Sequence, residues 1–171
     1  AGIAGIVERA TSGERLVPND IVRLFAVRDA DYRHVTQAAD ALRRAVSGDV
    51  VRYVVNRNIN YTNICYFRCK FCAFSKGRTH EDLRGSPYDL AIEEITRRAI
   101  EAWDRGATEV CLQGGIHPDY TGATYEAICR AIKAAVPAMH IHAFSALEVT
   151  QGAATLGLAI PDFLAKLKAA G

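Results

Sequence analysis

Three cysteines fall within eight residues: Cys65, Cys69 and Cys72, in the spacing Cys-x3-Cys-x2-Cys. Thiolates are ligands for soft and borderline metals, and one short loop can bring three of them onto a single inorganic core. A disulfide suits the stretch poorly, because three is odd and so tight a spacing makes a strained bridge. A structural zinc site closes with four ligands, typically two Cys-x2-4-Cys or His pairs. Here only Cys69-x2-Cys72 has that form, and no second pair follows at finger spacing. An iron–sulfur cluster is the better match, with a zinc module lacking enzymatic activity as the rival from another class. Most such clusters have four cysteine ligands, so three would leave one iron without a protein ligand. An open metal position is where a substrate or cofactor binds.

Other residues could do chemistry, and each has a plain alternative. Gly114-Gly115 is either a turn needing positive φ or a place of close backbone approach. His117, followed by Pro118, is a catalytic candidate or a satisfied loop histidine. His140 and His142 alternate, so in a strand both point to one side. If that side is a barrel interior, His142 and its neighbour bind substrate or move a proton; otherwise they are ordinary strand residues. Glu148 could bind a cation such as a substrate amine, or be solvated. Cys111 and Cys129 read as small buried hydrophobes. Tyr66, Phe67 and Phe74 would shield a cluster from water and so tune its potential.

The elements that must position these residues follow from periodicity. Residues 1–48 read as helical. Ile21, Leu24 and Phe25 follow the start signal Pro18-Asn19-Asp20, and Val35, Ala39, Leu42 and Val46 recur until Gly48, both as plain core stripes. Val50 to Val55 is β-branched and aromatic, hence strand, ending at Asn56-Arg57-Asn58 or running on to Thr62. A helix should start at Ser86-Pro87 with Leu90, Ile92, Ile95, Ala99, Ile100 and Trp103 inward. Ala107–Leu112 is a strand, Tyr125–Ala135 a helix, Met139–Phe144 a strand and Pro161–Ala170 a helix. Alternating strands and helices imply βαβ units and a parallel sheet. The cysteine loop, the Gln113-Gly114-Gly115 turn and the His142-Ala-Phe-Ser145 turn each follow a strand and precede a helix. In parallel α/β barrels such loops share the C-terminal face where active sites are built. The expected organisation is an N-terminal helical extension over 1–49 and, over 50–171, the first half of a partial TIM-type α/β barrel.

Composition narrows the class. The chain has 171 residues, half of them hydrophobic, 23% charged, with a net charge of +2. That suits a soluble globular domain and offers no dense basic tract for nucleic acid. No apolar run reaches the roughly 18 residues of a membrane span, and no secretory signal is evident. Five cysteines then fit a reducing cytoplasm. The only methionine is Met139 and the chain ends in a helix with a C′ glycine, which reads as a fragment cut just before another strand.

The three cysteines, with aromatic Phe71 before the last, resemble the motif of the radical S-adenosylmethionine (SAM) superfamily. The resemblance implies a 4Fe–4S cluster on Cys65, Cys69 and Cys72. Its open iron would be chelated by the amino and carboxylate groups of SAM, with Phe71 near the adenine. It further implies that Gln113, Gly114 and Gly115 contact the SAM amino group. Many members carry an acid after the two glycines. This chain has Ile116, so backbone carbonyls or Gln113 would accept the hydrogen bond. One-electron reduction of SAM would release a 5′-deoxyadenosyl radical. The words Asn58-Ile-Asn-Tyr-Thr-Asn-Ile-Cys65, Cys111-Leu-Gln-Gly-Gly-Ile-His-Pro118, His140-Ile-His-Ala-Phe-Ser145, Leu83-Arg-Gly-Ser-Pro-Tyr88 and Gln151-Gly-Ala-Ala-Thr-Leu-Gly157 are similar to the tyrosine-using branch of the FO synthase family. That implies a transferase joining the hydroxybenzyl group of L-tyrosine to 5-amino-6-ribitylaminouracil in deazaflavin cofactor synthesis, together with a partner subunit. Menaquinone-pathway enzymes acting on futalosine derivatives share Asn60-Tyr-Thr-Asn63 and His142-Ala-Phe144 and are the alternative within the superfamily.

Overall fold

The computed structural model describes residues 2–67, 69, 72–75 and 86–171. The chain divides into two compact units, Ala1–Arg52 and Tyr53–Gly171.

The first unit holds three helices: α1 (Ile3–Thr11), α2 (Pro18–Ala26) and α3 (Asp29–Ser47). Pro18 sits in the first turn of α2, where its missing N–H costs nothing. The α1 residues Ile6 and Val7 are buried, and Arg9 of α1 pairs with the buried Asp20 of α2. The stripes expected to be core packing are not. Phe25 is 84% exposed and Val46 77%, and α3 buries no residue at all. An apolar stripe is buried only where a neighbouring element covers it, and within this unit the main neighbour of α3 is the nine-residue α1.

The second unit is a partial α/β barrel of the TIM type. Its sheet has strands β1 (Asn56–Asn60), β2 (Glu109–Gln113) and β3 (His140–His142), all parallel, in the order β1-β2-β3. Helices α4 (Ile92–Asp104), α5 (Gly122–Ala135), α6 (Ala146–Thr155) and α7 (Ile160–Ala170) complete it. Ile59, Val110 and Leu112 join the apolar core with Ile95 and Ala99 of α4, Tyr125, Ile128 and Ile132 of α5, and Phe163 of α7. Side chains alternate along a strand, so Asn56, Asn58 and Asn60, Glu109, Cys111 and Gln113, and His140 and His142 share the other face. The register pairs them in rows: Asn56, Glu109 and His140; Asn58, Cys111 and His142; then Asn60 and Gln113. One face of the sheet is therefore apolar and covered by helices, and the other is polar.

The structure shifts several expected boundaries. Val50–Val55 is not a strand; Val51 and Tyr53 are 87% and 88% exposed, and the strand begins at Asn56. Strand membership is decided by the partner. Asn56 is the first residue opposite β2, and only the Val55 carbonyl reaches further, accepting from Thr108 N at 2.9 Å. The helix expected from Ser86-Pro87 starts at Ile92, because 86–90 is held extended against 60–63. Ile100 and Trp103 are 41% and 40% exposed, so the apolar face of α4 is narrower than its pattern. Helix α6 was not expected. Its signal is the capping box Ser145-x-x-Glu148, in which each residue's side chain satisfies the other's backbone N–H. Among the described residues no helix is long and apolar enough to cross a membrane.

Helices α5, α6 and α7 meet around Phe163, whose ring leaves no room for a side chain on Gly152: a Cβ there would lie 2.5 Å from Phe163 Cε1. Phe163→Ala should destabilise the second unit by about 3–5 kcal/mol, the usual cost of emptying a buried aromatic site. Chemical denaturation, read by circular dichroism, checks this.

Candidate functional site

The cysteine loop is anchored before it begins. Tyr61 follows β1 and is fully buried; its N–H donates to Gln113 O (3.3 Å) and its carbonyl accepts from Leu90 N (2.8 Å). The Thr62 hydroxyl donates to Tyr88 O (2.8 Å). Asn63 donates through Nδ2 to Ser86 O (3.1 Å) and accepts from Tyr88 N at Oδ1 (2.8 Å). Thr62 and Asn63 are both buried, so the word Tyr-Thr-Asn ahead of the cysteines is a clamp on residues 86–90. On the other side, Gly115 N donates to Thr62 O (2.8 Å) and Tyr66 N to Ile116 O (3.1 Å). The β1–β2 pairing thus continues past the strands and lays the cysteine loop against the glycine turn.

A cavity of about 290 Å³ opens between them. Cys65, Cys69 and Cys72 all line it, with Gln113, Gly114, Gly115 and Ile116 opposite, Asn58 and Asn60 from the polar sheet face, and Ser145 and Leu147 from the start of α6. Cys72 is exposed, and Cys65 and Cys69 are half-buried. Phe67 and Phe74 line the cavity but are 49% and 65% exposed; Tyr66 instead donates from its hydroxyl to Gln151 Oε1 (2.9 Å), tying the loop to α6. Phe71 lies outside the described residues. Asn58, Asn60, Ser145 and Leu147 were not singled out from the sequence, because only the sheet register and the α6 cap bring them here.

Both glycines are required for space. Neither has a positive φ. A Cβ on Gly114 would lie 2.3 Å from Tyr61 Cε2, and one on Gly115 would lie 2.2 Å from Ile64 O and 2.9 Å from Cys65 Cβ. The close approach is to the chain itself, and the fold as well as any ligand depends on it.

The remaining expected residues lie elsewhere. His117 is buried in its loop, accepts from Asp119 N at Nδ1 (3.1 Å) and stacks on Tyr120 with ring centroids 4.8 Å apart; it does not line the cavity. His140 and His142 are on the polar sheet face and do not line the cavity. Their Nδ1 atoms lie 2.7 and 3.6 Å from the two oxygens of the buried Glu109. The hydrogen bond from His140 holds the Glu109 carboxyl below the usual carboxylate range. Cys111 is half-buried on that polar face, accepting from Gln113 Nε2 at 3.5 Å, and is not the core residue expected. Cys129 is buried in α5, and burial pushes its thiol up to about 11. Among the described residues Glu148 meets no cation, and it is not solvated. It is 1% exposed and accepts from the Tyr61 hydroxyl, from Gly114 N (3.0 Å, at Oε1) and from Ser145 N (2.6 Å, at Oε2). Burial, reinforced by this carboxylate, raises the Tyr61 phenol well above its ordinary value, so Tyr61 stays a donor.

The donor set fits an iron–sulfur cluster. Among the described residues no three His, Cys, Asp or Glu side chains gather closely enough for a single metal ion. Three thiols spread around one cavity can each bind a different iron of one cluster, which does not require them to meet.

Residues 59–171 match the model of the Radical SAM superfamily. The chain belongs to this superfamily. Membership in the radical SAM superfamily implies an iron–sulfur cluster and SAM. The chain is 51% identical over 137 residues to the FO synthase of Streptomyces avermitilis, covering 80% of this chain and 15% of that protein. It is 38% identical over 169 residues to the 5-amino-6-(D-ribitylamino)uracil–L-tyrosine 4-hydroxyphenyl transferase of Methanosphaerula palustris, covering 99% of this chain and 45% of that protein. Among solved structures, the FeFe-hydrogenase maturase HydG from Carboxydothermus hydrogenoformans superposes with a TM-score of 0.65 at 26% identity, over 81% of this chain and 32% of that one. The chain thus spans less than half the length of these curated relatives.

Gly115→Val should displace Ile64 and Cys65, so the variant should take up much less iron and sulfide on anaerobic reconstitution; elemental analysis against the unchanged protein checks this. The lowered Glu109 pKa makes a second prediction. A depressed carboxyl stabilises the fold above its unfolded pKa, and that contribution is lost as pH falls through the folded value. Thermal unfolding of the unchanged protein and of Glu109→Gln should differ most above the ordinary carboxylate range, and the difference should close as the solution is acidified.

Proposed function

We propose that this chain is part of a radical SAM transferase that joins the hydroxybenzyl group of L-tyrosine to 5-amino-6-ribitylaminouracil in deazaflavin biosynthesis. The observation that carries the reading is the single cavity shared by the three cysteine thiols and the Gln113-Gly114-Gly115 turn, in a chain similar to FO synthases and to the tyrosine transferase named above. Cys65, Cys69 and Cys72 would hold a 4Fe–4S cluster. Gln113 and the carbonyls of Gly114 and Gly115 would face the amino group of SAM, and Phe71 its adenine. When bound, cluster and SAM together supply a hydrogen-abstracting carbon radical. The protein holds the reactants aligned and away from water. The glycine N–H groups are already committed inward, to Glu148 and to Thr62 O, which leaves the turn's carbonyl side for a donor such as an ammonium. Asn58 and Asn60 offer amide hydrogen bonds to a polar substrate at the cavity wall. His117 and His142 do not line the cavity and have no part in this reading.

The test uses protein of the relatives' full length, reconstituted anaerobically and incubated with reductant, SAM, L-tyrosine and the aminouracil. Mass spectrometry should find 5′-deoxyadenosine only when tyrosine is present, together with a hydroxybenzyl–uracil adduct. Cys69→Ala should abolish both products and the cluster, while Cys111→Ala should retain the cluster. Deoxyadenosine formed equally well from a futalosine derivative without tyrosine would move the chain to the menaquinone enzymes. Full iron and sulfide content in Cys69→Ala would refute the cluster assignment.

A further inference from the structure

Glu148 is a carboxylate with 1% exposure whose hydrogen-bond shell, among the described residues, holds three neutral donors and no cation. Burying a charge is costly unless donors satisfy it, and here the donors come from three different connections. Tyr61 lies between β1 and the cysteine loop, Gly114 is in the turn after β2, and Ser145 caps α6 after β3. The two oxygens divide the work. Oε1 accepts from Gly114 N and the Tyr61 hydroxyl, and Oε2 accepts from Ser145 N. The Tyr61 ring lies directly beneath Gly114, where a Cβ would come within 2.3 Å of it. Gly114 and Ser145 both line the cavity beside the cysteines.

We propose that Glu148 is a positioning residue for SAM: its Oε1 holds the Gly114 N–H while Gln113 O is held by Tyr61 N, and the peptide so fixed from both ends places the carbonyls of Gly114 and Gly115 at the cavity. The inference rests on the reading of the cavity as the SAM site. With the Gly114 N–H held inward by a buried acceptor, the peptide cannot rotate without breaking both that bond and the one from Tyr61 N to Gln113 O. The Oε2 bond to Ser145 has a separate task, the start of α6. A single side chain therefore carries a positioning function on one oxygen and a helix cap on the other, and substitutions can separate them.

Glu148→Gln keeps a carbonyl oxygen for Gly114 and Tyr61 and loses the acceptor for Ser145. Glu148→Met keeps the side-chain length and loses both acceptors. In full-length, cluster-loaded protein, both variants should lower the unfolding midpoint. SAM affinity, read by equilibrium dialysis and by the change SAM induces in the electron paramagnetic resonance of the reduced cluster, should separate them. Glu148→Gln should stay within about threefold of the unchanged protein, and Glu148→Met should fall at least tenfold. Phe163→Leu, in α7 and outside the residues that line the cavity, controls for stability alone and should leave SAM affinity unchanged. Unchanged SAM affinity in Glu148→Met would overturn the proposal, as would affinity that falls in Glu148→Gln and Phe163→Leu in step with stability. If Glu148→Met takes up no cluster, Glu148→Gln decides alone: lowered stability with retained SAM affinity supports the proposal, and joint loss refutes it. Failure of the unchanged protein to bind SAM would refute the reading of the site itself, a separate result from any difference between variants.

Discussion

The structure depends on a hydrogen-bonded ladder that does not stop where its strands do. β1 and β2 pair from Asn56 opposite Glu109 to Asn60 opposite Gln113. Beyond them Tyr61 N reaches Gln113 O, Gly115 N reaches Thr62 O and Tyr66 N reaches Ile116 O. Two connections that would ordinarily diverge into separate loops are held side by side through Cys65. The constraint is steric as well as polar, since the carbonyl of Ile64 occupies the space where any residue but glycine would place its Cβ at position 115. A metal-binding loop and a ligand-binding turn share one wall for this reason.

The sheet divides its labour between faces. Ile59, Val110 and Leu112 commit one face to the helices and bury it. The other carries asparagines, a glutamate, a glutamine and histidines in rows, an arrangement that suits the inside of a barrel that handles polar ligands. Glu109 ties the bottom row to the one above it through His140 and His142, while Asn58, Asn60 and Gln113 reach the cavity. Residues on one face therefore have different roles according to their strand as well as their height along it. His142, chosen from the sequence as a catalytic candidate, shares a row with the cavity-lining Asn58 but lies beside Glu109.

Buried polar groups supply the specificity that apolar packing lacks. Thr62 and Asn63 hold residues 86–90 against the chain ahead of the cysteine loop, and Glu148 joins three connections at one carboxylate. Each group is satisfied only in one arrangement of its neighbours. That is the condition under which burial of a polar side chain favours a unique structure over a merely compact one.

The sequence by itself determined the chemistry on offer and the class of the fold. Thiol spacing is a local property, so Cys65, Cys69 and Cys72 announce a cluster motif without help from the rest of the chain. Strand–helix alternation is also local, which is why the parallel α/β plan was legible. Which residues form each strand was not, because β pairing is decided by the partner: apolar Val50–Val55 lies outside the sheet and polar Asn56–Asn60 lies inside it. The burial of Glu148, the withdrawal of His117 from the cavity and the exposure of the α3 stripe were equally hidden. Each turns on what a distant segment places beside the side chain, and only the tertiary structure brings Tyr61, Gly114 and Ser145 around one carboxylate.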